Sequence, residues 1–447
     1  MAVTRTAWSA TSWSNWAGTA SSTATRVAYP TSRAEVVDVV IAAADDDLPV
    51  KAVGSGHSFT AAAATSGVRV QLDSLSSLIA VDPANRLVTV QAGMALSTLN
   101  AILAGHGLAL PNLGDVDTQT ISGALATGTH GTGGALGGLA TFVEALEIVS
   151  GTGDVIRCSA VSAPDVFHAA LVNVGALGIV TELTLRCVDA FTLRADERPA
   201  DVSAVLTDLD SHIAANDHFE FYWFPYTDRA QIKRNNRVPV SDAPLPAWRG
   251  WLDDEFLSNR VFAGACRLGR AVPNLVPTIT RLSARALTAR IYTGPSHEVF
   301  CTPRRVRFVE TEYALPRAAL PEVFAGLRRI VDSLPFKVVF PVEVRFTAAD
   351  DIWLSHSYGR DSAYIAIHQY VGMPYEPYFR AFGDLAATFA GRPHWGKQHY
   401  QDVAYLATVY PRLADFLAVR DRLDPAGRFT NPYLSRVLGE PGSTGLP

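Results

Sequence analysis

Cysteines are scarce in this chain of 447 residues, and none of the four lies near another. Cys158, Cys187, Cys266 and Cys301 form no Cys-x-x-Cys pair, which excludes a thiolate metal site of that kind and a dense disulfide framework. Widely spaced single cysteines are typical of a protein that works in the reducing cytoplasm.

Long apolar runs and long basic runs are also missing. We find no stretch long enough to span a bilayer, and the N-terminal residues lack the continuous apolar segment of a signal peptide. The formal net charge of -5 and the pI near 6.1 give no bulk attraction for polyanions. We therefore expect a cytoplasmic protein with a neutral small-molecule substrate, such as a polyol or lactone, and neither nucleic acid nor an anionic membrane as partner. The sequence leaves the oligomeric state open.

A chain of this length is too long for one compact core, so we expect more than one domain. Helix and strand signals are mixed throughout, which favours an α+β fold. Residues 1–189 are rich in small-residue loops, whereas aromatic residues and arginines concentrate in 190–390. Loop chemistry resumes in 391–447. We predict one domain over 1–189, a second over 190–390, and a C-terminal segment that returns to the first.

Two small-residue loops, 54–58 and 122–134, are the main chemical signal in the first part. Ser32 and Glu35 are spaced as a capping box, so a helix is expected to precede the strand that delivers the first loop. Backbone N–H groups in glycine-rich turns can approach a pyrophosphate closely. The Gly-x-Gly-x-x-Gly dinucleotide fingerprint is absent, so the alternative is that these are only tight turns.

Each loop carries one histidine, His57 in the first and His130 in the second. A lone histidine in a loop is often only a hydrogen-bonding residue. Beside a phosphate-binding loop, however, an imidazole can act as a nucleophile toward a cofactor. For His130 the structural role is the simpler interpretation.

Later in the chain, pairs of polar residues alternate along apparent strands. Glu343 and Arg345 share one strand face, as do His368 and Tyr370. A carboxylate beside a guanidinium is commonly a structural ion pair, which is the alternative to a catalytic role. His394 and Lys397 occur without a His-Glu-x-x-His motif or a carboxylate triad, so we expect no metal.

Taken in order, the motifs SNWAGT, VKAVGSGHSF, LPNLGD, ATGTHGTG, GALGIVT, EVRF, YGRD, GRPHWGKQHY and LDPAGRFTN are specific. The chain resembles the vanillyl-alcohol-oxidase-type flavoproteins, and within them the aldonolactone and alditol oxidoreductases. The bacterial L-gulono-1,4-lactone oxidase and dehydrogenase branch, in the D-arabinono-1,4-lactone oxidase family, is the most similar. The resemblance covers nearly the whole chain.

This resemblance implies an FAD-binding domain of the PCMH type over 1–189 and an α+β cap over 190–390, built on an antiparallel sheet. It implies FAD bound covalently through His57, and a second link through cysteine is excluded because none lies between residues 1 and 157. The residues expected to contact FAD are Val53, Gly54, Ser55, Gly56, His57, Ser58, Phe59, Gly114, Asp115, Thr120, Gly123, Ala124, Thr127, Gly128, His130, Gly131, Gly178, Ile179, Val180 and His394.

The resemblance also implies oxidation of a sugar-derived hydroxyl, most simply that of an aldono-1,4-lactone, with O2 or another acceptor reoxidising the flavin. Two positions depart from the alditol oxidases: Asp115 replaces a serine and Tyr370 replaces a smaller hydroxyl residue. The alternatives are an alditol oxidase, an oxidase of another carbohydrate-like alcohol, or a non-catalytic binding protein. The expected catalytic residues are Glu343, Arg345, His368 and Lys397, and Asp115 and Tyr370 join them as expected substrate contacts.

Overall fold

The structure is a computed structural model that describes residues 6–7, 11–239, 260–302 and 305–442, with side chains from residue 11 onward. The structure does not describe residues 1–5, 8–10, 240–259, 303–304 and 443–447, which belong to the predicted segments 1–189, 190–390 and 391–447. Within them the fold is α+β, as the sequence predicts.

The first part of the chain forms two main sheets. A four-stranded sheet has the order β1-β4-β6-β5, and a five-stranded antiparallel sheet has the order β11-β10-β12-β8-β7. The strands are β1 Thr6–Ala7, β2 Thr11–Ser14, β3 Ser21–Ala24, β4 Arg26–Ala28, β5 Val50–Val53, β6 Val68–Gln71, β7 Leu78–Asp82, β8 Leu87–Gln91, β9 Leu108–Ala109, β10 Val143–Val149, β11 Val155–Ser159, β12 Ile179–Arg186 and β13 Val188–Asp189. The helices are α1 Arg33–Asp45, α2 Leu96–Gly105, α3 Ile121–Ala126 and α4 Pro164–Leu171.

From residue 192 the chain builds an eight-stranded sheet of order β17-β14-β16-β15-β19-β20-β18-β21, paired antiparallel throughout. Its strands are β14 Thr192–Asp201, β15 His218–Trp223, β16 Arg229–Val238, β17 Arg290–Pro295, β18 Phe308–Pro316, β19 Val342–Thr347, β20 Ser362–Tyr370 and β21 Arg392–Pro393. The helices here are α5 Val202–Thr207, α6 Leu209–Ala214, α7 Phe262–Ala271, α8 Val276–Arg285, α9 Ser296–Phe300, α10 Leu320–Ser333 and α11 Glu376–Ala387.

The helix that precedes the first loop begins close to where the sequence predicts it. The Ser32 hydroxyl accepts a hydrogen bond from the Glu35 N–H, which caps α1. The Glu35 carboxylate, however, accepts from the Thr31 N–H at 2.7 Å rather than from Ser32, so the reciprocal half of the capping box is displaced by one residue. The chain then enters β5, whose parallel pairing with β6 fixes where the following loop emerges.

The eight-stranded sheet has one apolar face and one polar face. Phe324 on α10 and Phe382 on α11 are fully buried in the core that also contains Phe221, Val344 and Ile365 of the sheet. Burying such a layer on one side stabilises the sheet and leaves the alternate side chains on its other face. That polar face carries the charged residues of the site described below.

After β21 the chain crosses back to the first part. Helices α12 Val403–Val409, α13 Leu413–Leu423 and α14 Pro432–Leu438 pack into the core that contains α2, α3 and α4. Trp395 is buried in the same core and donates from its indole nitrogen to the Leu354 carbonyl at 2.8 Å. None of the helices described here is both long and apolar enough to cross a membrane.

Candidate active site

A cavity of about 390 Å³ lies between the small-residue loops and the polar face of the eight-stranded sheet. Its lining includes parts of the first loop, of the stretch from Gly114 to His130, of the strands β18, β19 and β20, and of the segment from His394 to Lys397. Aromatic rings form one part of the lining, with Trp16 and Phe308 at 5.3 Å between centroids and Phe308 and Phe340 at 5.5 Å. The lining thus combines aromatic and charged side chains.

A second cavity of about 100 Å³ adjoins the first. Residues 53–58, together with Thr120, Gly123, Val174 and Gly175, contribute to its lining. Both cavities are lined by His57, Ser58, Gln119 and Thr127, so His57 lies where the two meet.

The two small-residue loops pack too closely for side chains at their contact. A Cβ on Gly54 would lie 2.3 Å from the Thr120 hydroxyl oxygen, and Gly56 has a φ of +72°, a conformation that favours glycine. Thr120 in turn caps α3 by accepting from the Gly123 N–H. The glycines therefore fix the separation of the loops and leave their backbone open to the second cavity.

His57 is held by contacts on two sides. Its Nε2 lies 2.8 Å from the Thr118 hydroxyl oxygen, and its ring stacks on Trp16 at 5.7 Å between centroids. Burial lowers the pKa of His57, and the charge of Lys397 lowers it further. The imidazole is consequently neutral at physiological pH, the form in which a ring nitrogen can act as a nucleophile.

Arg345 lies at the centre of three carboxylates. Its Nε donates to Glu220 at 2.9 Å, and its terminal nitrogen contacts both Asp115 and Glu343. Lys233 adds a second positive charge, 3.5 Å from Glu220. The sheet supplies all of these charges except that of Asp115, which comes from the loop opposite.

Three carboxylates around two cations leave an excess of negative charge in a buried space. Burial, with help from Asp115 and Glu220, raises the pKa of Glu343 to about 7 despite the opposing effect of Arg345. The Tyr222 hydroxyl donates to Glu343 at 3.3 Å. Glu343 is therefore a carboxyl group that can gain or lose a proton near neutral pH.

Glu310 joins two of the expected catalytic residues. Its carboxylate lies 2.5 Å from Lys397 Nζ and 3.4 Å from His368 Nε2. Burial opposes ionisation, but Lys397 and His368 lower the pKa of Glu310 to about 2. Burial likewise lowers the pKa of Lys397, yet Glu310 and Glu312 raise it above its ordinary value. The pair is charged across the neutral range.

Glu312, two residues along the same strand, holds a separate group of histidines. Its carboxylate lies 3.1 Å from His130 Nε2, and the His130 ring stacks on Tyr364. His394 Nδ1 accepts from the Gly396 N–H at 3.0 Å and its ring stacks on His356. Ligand atoms of His130, Glu312 and His394 lie within 4.8 Å of one another, but these hydrogen bonds explain the grouping without an ion.

Most of the expected site residues come together around the two cavities. The first is lined by His57, Ser58, Phe59, Gly114, Asp115, Thr127, His130, Glu343, Arg345, His368, His394 and Lys397. The second is lined by Val53, Gly54, Ser55, Gly56, His57, Ser58, Thr120, Gly123 and Thr127.

Seven expected residues lie outside both linings, for reasons of packing. Ala124 and Ile179 are buried in hydrophobic cores, and Val180 packs against one from its position on β12. Gly128, Gly131 and Gly178 each adjoin another segment so closely that a Cβ would clash, with His356, Leu113 and Val149 respectively. Tyr370 ends β20, where its ring faces the Arg270 guanidinium at 5.6 Å.

Three carboxylates that contact the expected site residues were not predicted from the sequence: Glu220, Glu310 and Glu312. All three lie in strands at alternating positions, a pattern that a solvent-exposed face would also produce. The neighbouring residues could have indicated that these carboxylates are buried. They lie within the stretches HFEFYW and FVETEYAL, whose apolar and aromatic residues are unusual for an exposed strand.

The cavities fit FAD by their chemistry and layout. Glycine-rich backbone without room for a Cβ lines the second cavity, as close approach to a pyrophosphate requires. His57 at the junction and the cations beyond it suit the redox-active end of the cofactor. These features define an FAD-dependent oxidoreductase in which the polar face of a second sheet lines the cavity that would hold the reacting end of the flavin.

Comparison with known proteins identifies the family. Residues 24–159 match the family described as "FAD binding domain", and residues 183–437 match the family described as "D-arabinono-1,4-lactone oxidase". The chain is 43% identical over 432 residues to an "L-gulono-1,4-lactone dehydrogenase" of Mycobacterium tuberculosis, covering 96% of this chain and 99% of that protein. It is 35% identical to "L-gulonolactone oxidase" of Mus musculus, with 95% and 97% covered. The chain therefore belongs to the D-arabinono-1,4-lactone oxidase family.

Two further comparisons concern a relative with a different named substrate and a solved structure of similar fold. An "Alditol oxidase" of a Streptomyces species is 32% identical over 441 residues, covering 95% of this chain and 98% of that protein. A crystal structure of cholesterol oxidase from B. sterolicum superposes with a TM-score of 0.79 at 18% identity, covering 97% of each chain. At that identity the structure supports the shared flavoprotein fold alone.

Proposed function

We propose that the chain oxidises a hydroxyl group of an aldono-1,4-lactone of the L-gulono type. The observation that carries this proposal is that Arg345 and Lys397 line one cavity, each held by buried carboxylates. Two preorganised cations suit an oxygen on which negative charge develops. The relatives named for aldonolactones match nearly the full length of the chain, which supports the substrate class.

In this mechanism the protein residues bind the substrate and manage its proton. Arg345 and Lys397 stabilise the substrate oxygen as its proton leaves. His368 Nε2 lies 3.4 Å from Glu310, and its Nδ1 lies 3.3 Å from the Pro341 carbonyl oxygen. Because these contacts fix the ring, we give His368 a positioning role. We assign proton acceptance to Glu343, whose pKa of about 7 suits a base at neutral pH. FAD, when bound, supplies the hydride acceptor.

We assign the covalent attachment of FAD to His57. Support comes from its neutral ring and from its position at the junction of the two cavities. His57 would hold FAD through a bond from an imidazole nitrogen to the C8 methyl carbon, and the flavin itself would supply the oxidising chemistry that this bond needs.

Two related assignments belong to the same proposal. O2 or another acceptor reoxidises the flavin. Gly114 lines the large cavity, where the absence of a side chain would favour entry of O2. A location in the cytoplasm is supported by the four free cysteines, three of them buried. We propose that residues 1–189 bind FAD, that 190–390 form the cap, and that 391–447 return to the first core.

The test is oxidation of a panel of substrates by the purified holoprotein. L-gulono-1,4-lactone should bleach the flavin under anaerobic conditions far faster than xylitol or sorbitol. The opposite order would establish the alditol alternative. A failure of every lactone and alditol would overturn the proposal and favour a different carbohydrate-like alcohol or a binding protein.

A further inference from the structure

Helices α7 and α8 and the turn between them present an unusual surface. Of the twelve large apolar side chains that are exposed in the described part of the chain, six lie between Val261 and Ile291. Five arginines between Arg260 and Arg285, these two included, are exposed as well. We call this surface the arginine–leucine face; it consists of Arg260, Val261, Arg267, Leu268, Arg270, Val272, Leu275, Arg281, Leu282 and Arg285.

Each helix has a buried side and an exposed side, and the exposed side carries a leucine. On α7, Cys266 and Gly269 are buried, whereas Leu268 on the opposite side is 47% exposed. On α8, buried residues recur every four positions, and Leu282 on the far side is 59% exposed. The turn Pro273–Leu275 joins the two helices and ends in an exposed leucine. Large apolar side chains grouped on one surface mark an interaction site.

The charge of this surface has one sign. Residues 260–297 contain six arginines and neither aspartate nor glutamate, in a chain whose overall charge is -5. One of the six, Arg290, is partly buried and pairs with Glu197 at 2.8 Å, which leaves the five exposed arginines on the face. The net charge of the whole chain therefore does not reveal this cationic local surface.

Helix α7 also contributes to the candidate active site. Phe262, the first residue of α7, lines the large cavity, and its ring lies 4.8 Å from that of Phe340 between centroids. A partner bound to the arginine–leucine face would thus contact a helix that also lines the large cavity.

We propose that the arginine–leucine face docks peripherally on an anionic phospholipid bilayer. Arginines flanking outward leucines on paired helices match the composition of helices that lie in a membrane interface. Charge complementarity selects anionic lipids, since each arginine near such a surface contributes to binding. Insertion of a few side chains requires no membrane-spanning helix, and docking on the cytoplasmic leaflet agrees with a cytoplasmic enzyme. The expectation that an anionic membrane is no partner rested on the net charge and on the absence of a long basic run, and neither reveals arginines that two helices space out along the sequence.

The test is co-sedimentation of the purified holoprotein with vesicles of phosphatidylcholine, with and without phosphatidylglycerol. We expect binding only when phosphatidylglycerol is present, and loss of that binding at high salt. Arg281→Gln with Arg285→Gln should lower partitioning by roughly 10-fold or more, because each arginine contributes about fivefold. Leu282→Asp should lower it further, whereas Val161→Asp, at a position 95% exposed in another part of the fold, should bind as the unchanged protein does.

Four outcomes would overturn the proposal. One is the absence of binding to either vesicle at low salt, and another is equal binding by the Leu282 and Val161 variants. A dimer that Leu282→Asp converts to a monomer in light scattering would assign the face to a second copy of the chain. A large fall in thermal stability of Leu282→Asp would show that residues of the chain itself cover the face. Flavin reduction in solution should be unchanged in all variants, which separates this test from that of the proposed function.

Discussion

Glu310→Gln tests the idea that one buried carboxylate holds the catalytic cation in place. Lys397 is a quarter exposed and Glu310 almost fully buried, and they form a charge-assisted hydrogen bond at 2.5 Å. A hydrogen bond to a charged group contributes about 1.5–3 kcal/mol. If that contribution is realised at the transition state, its loss lowers the rate of flavin reduction by roughly 10- to 150-fold.

The pH dependence should change as well, and its sign follows from the pKa shifts. Burial lowers the pKa of Lys397, whereas Glu310 is the largest influence that raises it. Without the carboxylate, Lys397 loses its proton at lower pH than in the unchanged protein. Because the charged amine is the active form, the alkaline limb of the rate profile should move to lower pH in Glu310→Gln.

The assay is anaerobic stopped-flow reduction of the flavin, followed at several pH values on both sides of neutrality. Glu310→Asp keeps the charge and should recover part of the rate and the alkaline limb. Glu197→Gln removes a buried carboxylate that pairs with Arg290 in the same sheet, outside the cavity, and should leave both unchanged. An unchanged alkaline limb in Glu310→Gln would refute the reasoning, whatever the rate.

Three further changes probe other parts of the site. His57→Ala should give protein that releases its flavin on denaturation, as seen by loss of fluorescence from the protein band on a denaturing gel. Arg345→Lys cannot contact three carboxylates at once and should slow flavin reduction by about 100- to 1000-fold. Gly54→Ala forces a Cβ against Thr120 and should lower the free energy of unfolding in urea by about 1–3 kcal/mol.

Each of these changes has a result that contradicts it. Flavin that stays on the denatured His57→Ala protein would refute the assigned attachment. Arg290→Lys is the matched control for Arg345, and equal flavin reduction rates in the two variants would remove Arg345 from the mechanism. A Cβ on Gly105 would have no neighbour within 4 Å, so equal stability of Gly54→Ala and Gly105→Ala would show that the loop contact is unimportant.

Local patterns predicted much of the fold. The capping residue Ser32 and the apolar spacing after it predicted α1, and alternation along VEVRF predicted β19 with Glu343 and Arg345 on one face. These predictions depend on neighbours within a few residues, where spacing translates directly into geometry. The Glu35 carboxylate accepts from Thr31 instead of Ser32, a displacement of one residue that lies within the variation of helix ends.

Local sequence patterns could not predict which residues contact the catalytic groups. Arg345 and Glu220 are 125 positions apart in sequence, and His130 and Glu312 are 182 apart. Only the pairing of β15 with β19, and the closure of the loops over β18, bring these groups together. Periodicity shows which face a carboxylate occupies, but it does not show what covers that face.

The measurement that tests the central claim most directly is anaerobic mixing of the holoprotein with L-gulono-1,4-lactone, followed by admission of air. The account predicts that the flavin absorbance bleaches with the lactone and returns afterwards. Rapid return with formation of peroxide would establish O2 as acceptor, and slow return would establish another. A flavin that stays oxidised in the presence of the lactone would contradict the account.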